Sequence, residues 1–310
     1  MNGTRRLGLL LALSTACISG VAVYLNSFGV KAFGNASLYT TAKNIVAAVV
    51  LLAVVGIGHR AGATVTRPSG AKQWLGLAAI AIIGGSVPFI LFFEGLARAT
   101  AAHTAVQASF LQKTLVIWVA VLAILILRER LTWAHYLAIA LLIAGQVGLA
   151  GGVQVIMNSG AGMVLAATLL WSVEVILAKR LLGSLSSWTV GLARMVAGSV
   201  VLIAWAMIQG HAGVLLHMTG TQWGWVLLTG VILAGYVATW FAALARAQAV
   251  DVTAVLVIGA LITAVISAAV DGKALAPQLG WWALLVAGTV LVSWRMVRVS
   301  SRVLAAGEAG

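Results

Sequence analysis

Ten mainly apolar runs follow one another along this chain, at 7–28, 36–57, 73–97, 103–127, 133–150, 161–183, 188–209, 222–246, 252–270 and 277–297. About 20 such residues cross the hydrocarbon core as a helix. Lipid offers no partner to an exposed peptide group, so only helices and closed barrels can span it, and runs of this length specify helices. The connections leave no room for a soluble domain; the two longest, 58–72 and 210–221, are polar or Gly-rich and predict loops. Composition agrees, with 62% hydrophobic and 8% charged residues against about 25% charged in a soluble fold. The expected fold class is an all-α polytopic membrane protein with ten transmembrane helices.

The net charge of +13 would suggest nucleic acid if it were clustered, but the basic residues sit between apolar runs, which points to orientation in a bilayer instead. With the N-terminus placed in the cytoplasm, thirteen Lys and Arg residues fall on the inside and three, Lys31, Arg98 and Lys273, on the outside. N- and C-termini are therefore both expected to be cytoplasmic. Arg5-Arg6 ahead of an apolar run has the look of a signal peptide. The position three before Cys17 holds Ser14 where a lipoprotein site needs a Leu-like residue, and the run has a counterpart at 161–183, so it reads as a retained first span.

That counterpart belongs to a wider pattern. Phe92 to Ala99, FFEGLARA, returns 148 positions later as WFAALARA at Trp240 to Ala247. YTTAKNIVAAVVLL of the second span is echoed by VGLARMVAGSVVLI of the seventh, placing Lys43 opposite Arg194, and ALLIAGQVGLA of the fifth by ALLVAGTVLVS of the tenth. The chain thus divides into two units, 1–150 and 151–310, of five spans each. Five crossings make the second unit enter the membrane upside down, the inverted-repeat plan of secondary transporters, whose site lies between the halves near the midplane.

WSVEVILAKRLL in the sixth span, the Ala-Lys and Ala-Arg pairs of the second and seventh, and LILRERLTWAHYLAIALLIAGQVGLA across the fourth and fifth resemble the EamA-type branch of the drug/metabolite transporter superfamily over nearly the whole chain. Two departures are visible: Leu115-Val116 stands where many members carry proline, and Glu129 has no clean match in Asp271-Gly272-Lys273. The resemblance implies a multi-pass carrier of the bacterial inner membrane that moves small molecules without a cofactor.

No GxSxG, phosphate loop or HExxH occurs, so the chain does not read as an enzyme, and the five scattered His and one Cys do not read as a metal site. Ionisable groups at membrane depth are functional by default, because each costs about 2.5–3.5 kcal/mol even on the lenient insertion scale. Glu174 is the clearest, with Trp171 one turn before it; a tight hairpin near Ser184 brings Arg194 to the same depth. The two form either a structural ion pair or a site in which Glu174 meets a substrate ammonium or a coupling proton, a role resembling that of the membrane glutamate of small multidrug transporters in the same superfamily. Gly20 aligns with Glu174 in the first unit. Lys113 lies about 15 and 21 Å from the two interfaces at 1.5 Å per residue and needs a substrate carboxylate, Glu174 or a wet cavity. Glu94 has Arg98 four residues on and reads as an interfacial pair. Lys43 and Arg194 are candidates for opposite gates or for simple anchors. His103, Gln107, Thr114 and Trp118 share one face of the fourth span, and Tyr236, Thr239 and Trp240 adjoin on the eighth. Trp118, Trp171, Tyr236 and Trp240 are therefore candidates to line a cavity. Pro88, after Gly84-Gly85-Ser86, is a candidate hinge.

The leading expectation is an alternating-access carrier exporting a small organic metabolite such as an amino acid, with Lys113 on the carboxylate and Glu174 on the ammonium. A cation or drug exporter using Glu174 is the alternative within transport. A passive channel or structural membrane component is the alternative outside it, although channels need a ring of pore residues and this chain has one asymmetric set. Its expected partners are a small-molecule substrate, a coupling proton and the lipid bilayer, with no nucleic acid.

Overall fold

The computed structural model describes residues 2–60, 65–102, 110–152, 158–272 and 278–307. The spans are α1 (Arg6–Phe33), α2 (Ala36–Gly58), α3 (Ala71–Ala99), α4 (Phe110–Leu127), α5 (Trp133–Leu149), α6 (Ser159–Leu181), α7 (Ser187–Ile208), α8 (Gly220–Arg246), α9 (Ala249–Val270) and α10 (Leu279–Val297). Among the described residues nine of these are long and apolar enough to cross a membrane, α5 being shorter at 17 residues. That is still about 25 Å of helix. No strand occurs among the described residues. The 210–221 connection, expected to be a loop, carries one short helix, Ala212–Leu216.

Small residues let the helices approach, and the apolar side chains divide between a shared interior and an outer surface. Leu51, Ile80, Val119, Leu142, Phe241 and Leu285 are buried, while Leu10, Val49, Leu125, Val200 and Val290 point outward. An exposed Leu on such a helix faces acyl chains rather than water.

The packing follows a pseudo-twofold rule. α1 lies along α8 as α6 lies along α3; α2 meets α8 as α7 meets α3; α1 meets α9 as α6 meets α4; and α2–α7 and α5–α10 pair with their own counterparts. Contacts between units are thus the fabric of the fold, as five-span repeats that interleave require.

Three spans are interrupted. α3 consists of Ala71–Ile83 and Val87–Ala101, separated by Gly84-Gly85-Ser86. The Ser86 hydroxyl donates to the carbonyls of Ala81 (3.0 Å) and Ile82 (3.2 Å), answering acceptors that the break sets free. The predicted weak point at Pro88 therefore falls in the first turn of the second half, where a missing N–H costs least. α4 turns at Thr114 and α9 at Val257-Ile258, matched positions that no Pro announces. α4 ends in a π-helical turn, Ala123–Leu127, closed by Arg128 in the left-handed region (φ 55°).

Candidate functional site

Glu174 and Arg194 meet as the hairpin between α6 and α7 demands. Each lies seven residues from the end of its helix that faces the hairpin, about 10 Å deep at 1.5 Å per residue. Arg194 Nε donates to Glu174 Oε1 at 2.7 Å, with 6% and 3% of the two residues exposed. Lys113, the other candidate partner, is half-buried and makes no hydrogen bond or ion pair among the described residues. Glu174 is thus nearer one end of its span than the middle expected from sequence, and its carboxylate already has a counter-charge.

The break in α3 makes room for this pair. A Cβ on Gly84 would fall on the Glu174 carboxyl group, and one on Gly85 would fall on the Arg194 carbonyl. Gly84 also gives its carbonyl oxygen to Trp171 Nε1 at 3.3 Å. Aromatic rings close the surroundings. Phe89 lies under the Arg194 guanidinium at 5.5 Å and edge-on to Trp171 at 5.5 Å, and Phe92 follows at 5.6 Å from Trp171. On the facing span Tyr236 stacks on Trp240 (6.1 Å, 10°) within electrostatic reach of both charges. Trp171 and Tyr236 thus stand beside the pair, with Trp240 stacked behind Tyr236. Phe89 and Phe92 were not singled out from sequence, although Phe92 is the first residue of the repeated octapeptide.

Other expectations separate. Trp118 shares an outward stripe with Val121 and Leu125, at 36%, 43% and 70% exposure; its indole donates only to Thr114 Oγ1, 3.1 Å away, and the Thr114 hydroxyl turns back to the Leu111 carbonyl. Among the described residues no contact joins Trp118 to the Glu174–Arg194 pair. Gln107 and His103 lie outside the described residues. Glu94 and Arg98 form the exposed pair read from their spacing, 2.9 Å apart. Gly20 does not take Glu174's place in the first unit: it packs against Ile262 and the Gly259 carbonyl. Asn26 takes it, its Oδ1 accepting from Lys43 Nζ at 3.2 Å. Asn26 stands 148 positions before Glu174 while Lys43 stands 151 before Arg194, so the likeness is one of pairing and not of repeat alignment.

A second polar cluster, unforeseen, joins the end of α8 to the start of α9. Lys179 Nζ donates to the carbonyls of Leu244 and Ala247, both at 2.6 Å. Glu129 Oε1 accepts from the Ala249 N–H at 2.9 Å and caps α9. Burial pushes the Glu129 carboxyl above its ordinary value, while the Ala249 and Val250 N–H groups and the Lys179 charge hold it back. His135 is 1% exposed. Its Nδ1 accepts from the Thr132 N–H at 3.0 Å, so Nε2 carries the proton and donates to Asp251 Oδ1 at 3.0 Å; the Arg295 guanidinium lies against the ring. A polar cavity of about 260 Å³ opens here, lined among others by Lys179, Arg246, Asp251 and Arg295. Partners 116 positions apart carry no local sequence signal, though the RERLT-like turn marked one end. Among the described residues no group of three or more His, Cys, Asp or Glu is placed to hold a metal ion.

The model of the EamA-like transporter family matches residues 6–151 and 158–295. No curated protein matches the chain. Twenty-eight solved chains do; one, a crystal structure, is similar with a TM-score of 0.74 at 16% identity, covering 94% of this chain and 97% of that one. At such identity the likeness concerns the fold alone.

Proposed function

The chain belongs to the EamA-like transporter family, matched over both units, and from that premise we propose that it exports a small organic metabolite such as an amino acid across the bacterial inner membrane by alternating access. The units 1–150 and 151–310 are the moving halves, with both termini cytoplasmic. The observation that carries this reading is the Glu174–Arg194 pair, buried between aromatic rings in the break of α3. Two charges at this depth are a poor way to stabilise a fold, since well-packed apolar residues do as well or better. They suit a site that must exchange partners during each cycle.

Because Arg194 already answers Glu174, a solute cation alone does not complete the site, which favours a solute with an anionic group over the simple cation or drug exporter. Trp171, Tyr236 and Trp240 line the path, α4 with Lys113 and Thr114 borders it, and Pro88 follows the hinge. Lys43 and Arg194, each seven residues into α2 or α7 from opposite sides, flank the midplane.

Counterflow in proteoliposomes across amino acids, organic acids, amines and sugars tests the proposal. Saturable, trans-stimulated flux of a metabolite is expected, lost in Glu174→Gln and Arg194→Gln. The swap Glu174→Arg with Arg194→Glu keeps a pair. If the swap and both single variants all transport like wild type, the pair is scaffold and the reading fails; non-saturating flux without trans-stimulation favours a channel.

A further inference from the structure

Lys43 stands in the first unit where Arg194 stands in the second, but among the described residues its surroundings lack the counter-charge. Asn26 offers a neutral amide oxygen in the place where Glu174 offers a carboxylate. The chain has six acids. Glu94 is bound to Arg98, Glu129 caps α9, Glu174 holds Arg194 and Asp251 holds His135; the side chains of the other two, Asp271 and Glu308, lie outside the described residues.

The ammonium is nevertheless built into a site. It is 5% exposed and lies over the Tyr39 ring at 5.1 Å and the Phe93 ring at 5.6 Å, contacts that favour its charged form without neutralising it. The Tyr39 hydroxyl lies 2.7 Å from both Asn26 Oδ1 and Thr229 Oγ1, which ties the amide in place. An ammonium has three donors, and among the described residues Lys43 uses one. Lys113 has no comparable set of partners among the described residues.

From Lys43 a row of rings leads to the ion pair. Phe93 lies 5.3 Å from Phe92, Phe92 lies 5.6 Å from Trp171, and Trp171 bonds to Gly84 beside Glu174. We propose that Lys43 is the anion anchor of the transport site: it binds the carboxylate of an organic solute whose apolar body lies along Phe93, Phe92 and Trp171. This rests on the transporter reading and moves the carboxylate contact from Lys113 to Lys43. The solute supplies the counter-charge that Asn26 withholds.

The test uses the full chain in nanodiscs, with benzoate, benzamide and the twenty L-amino acids as probes of its unfolding temperature and binding. Carboxylates are expected to raise the unfolding temperature, and benzamide is not. Lys43→Gln should weaken carboxylate binding at least about tenfold, the order of one hydrogen bond to a charged group, and Lys43→Arg should keep it. Asn26→Glu reproduces the Glu174–Arg194 arrangement. It should raise the unfolding temperature without any probe and abolish the response to carboxylates, so loss of binding cannot be mistaken for loss of folding. Equal responses to benzoate and benzamide, no response to any carboxylate, or wild-type binding by Lys43→Gln and Asn26→Glu overturns the proposal. In counterflow, wild-type flux by Lys43→Gln beside an inactive Glu174→Gln would remove the anchor and leave the transporter reading standing.

Discussion

Gly84→Ala tests how tightly the ion pair is fitted into the break of α3. The backbone at Gly84 has φ −121°, open to any L-residue, so the cost is steric. The new methyl group would overlap the Glu174 carboxyl carbon and Oε1. Either α3 moves away from α6, an overpacking cost of about 1–3 kcal/mol, or the carboxylate leaves Arg194, and a buried unpaired charge costs about 3–5 kcal/mol. A loss between about 1 and 5 kcal/mol is thus expected, with the value showing which contact yields. Gly56→Ala is the control: nothing lies within 4 Å of its added Cβ, and inside a helix the change should gain up to about 1 kcal/mol. Glu174→Asp withdraws the carboxylate by one methylene group, so in that background Gly84→Ala should cost at least about 1 kcal/mol less, a coupling typical of touching residues. Equilibrium unfolding in mixed micelles, followed by circular dichroism, measures all four variants. A Gly84→Ala change within about 0.5 kcal/mol of wild type, the range of an ordinary surface substitution, or an equal cost in both backgrounds, refutes the reasoning.

Burial raises the Glu129 carboxyl, so folding binds its proton more tightly than the unfolded chain does; its contribution is fully present below the ordinary value of 4.5 and is lost as pH rises through the folded value. Wild type should therefore lose stability relative to Glu129→Gln between pH 4 and pH 7 in paired thermal melts, and the opposite slope would contradict the burial argument. Lys179→Met keeps the volume but removes both bonds to the α8 carbonyls, and should cost about 1.5–3 kcal/mol; an unchanged unfolding temperature would mean that they hold nothing. Trp118→Leu should transport like wild type while Trp240→Leu loses flux; the reverse order would return Trp118 to the cavity wall.

The spans, their pairing into two units and the nearness of Glu174 to Arg194 were legible because each rests on a strong local term: apolar length, repeated order, and a short hairpin that sets two charges at one depth, although Lys113 stood beside Arg194 as a second partner for Glu174. Other features rest on terms that sequence order does not carry. Asn26 resembles Glu174 only in the cation that it meets, whereas counting residues along the repeat leads to Gly20. Thr114 and Val257-Ile258 break their helices inside apolar stretches with no Pro, so tertiary packing decides there. His135 and Asp251 meet because α5 and α9 cross, although both belong to unremarkable local sequence. Phe92 and Phe93 open the repeated octapeptide, which says nothing of their forming, with Trp171, the row of rings between the two buried cations.

The break in α3 has no equal in its counterpart: α8 runs for 27 residues from Gly220 to Arg246 as one helix. Mechanically the chain therefore pairs a jointed lever with a solid strut. If the two units trade conformations to open one side and then the other, the return stroke cannot mirror the forward one, because only one arm can bend at the level of the ion pair. In that case the stiffness of the two openings would differ, and with it the ease with which each face meets its solute, so that a repeat of two copies would flex more readily in one direction than in the other.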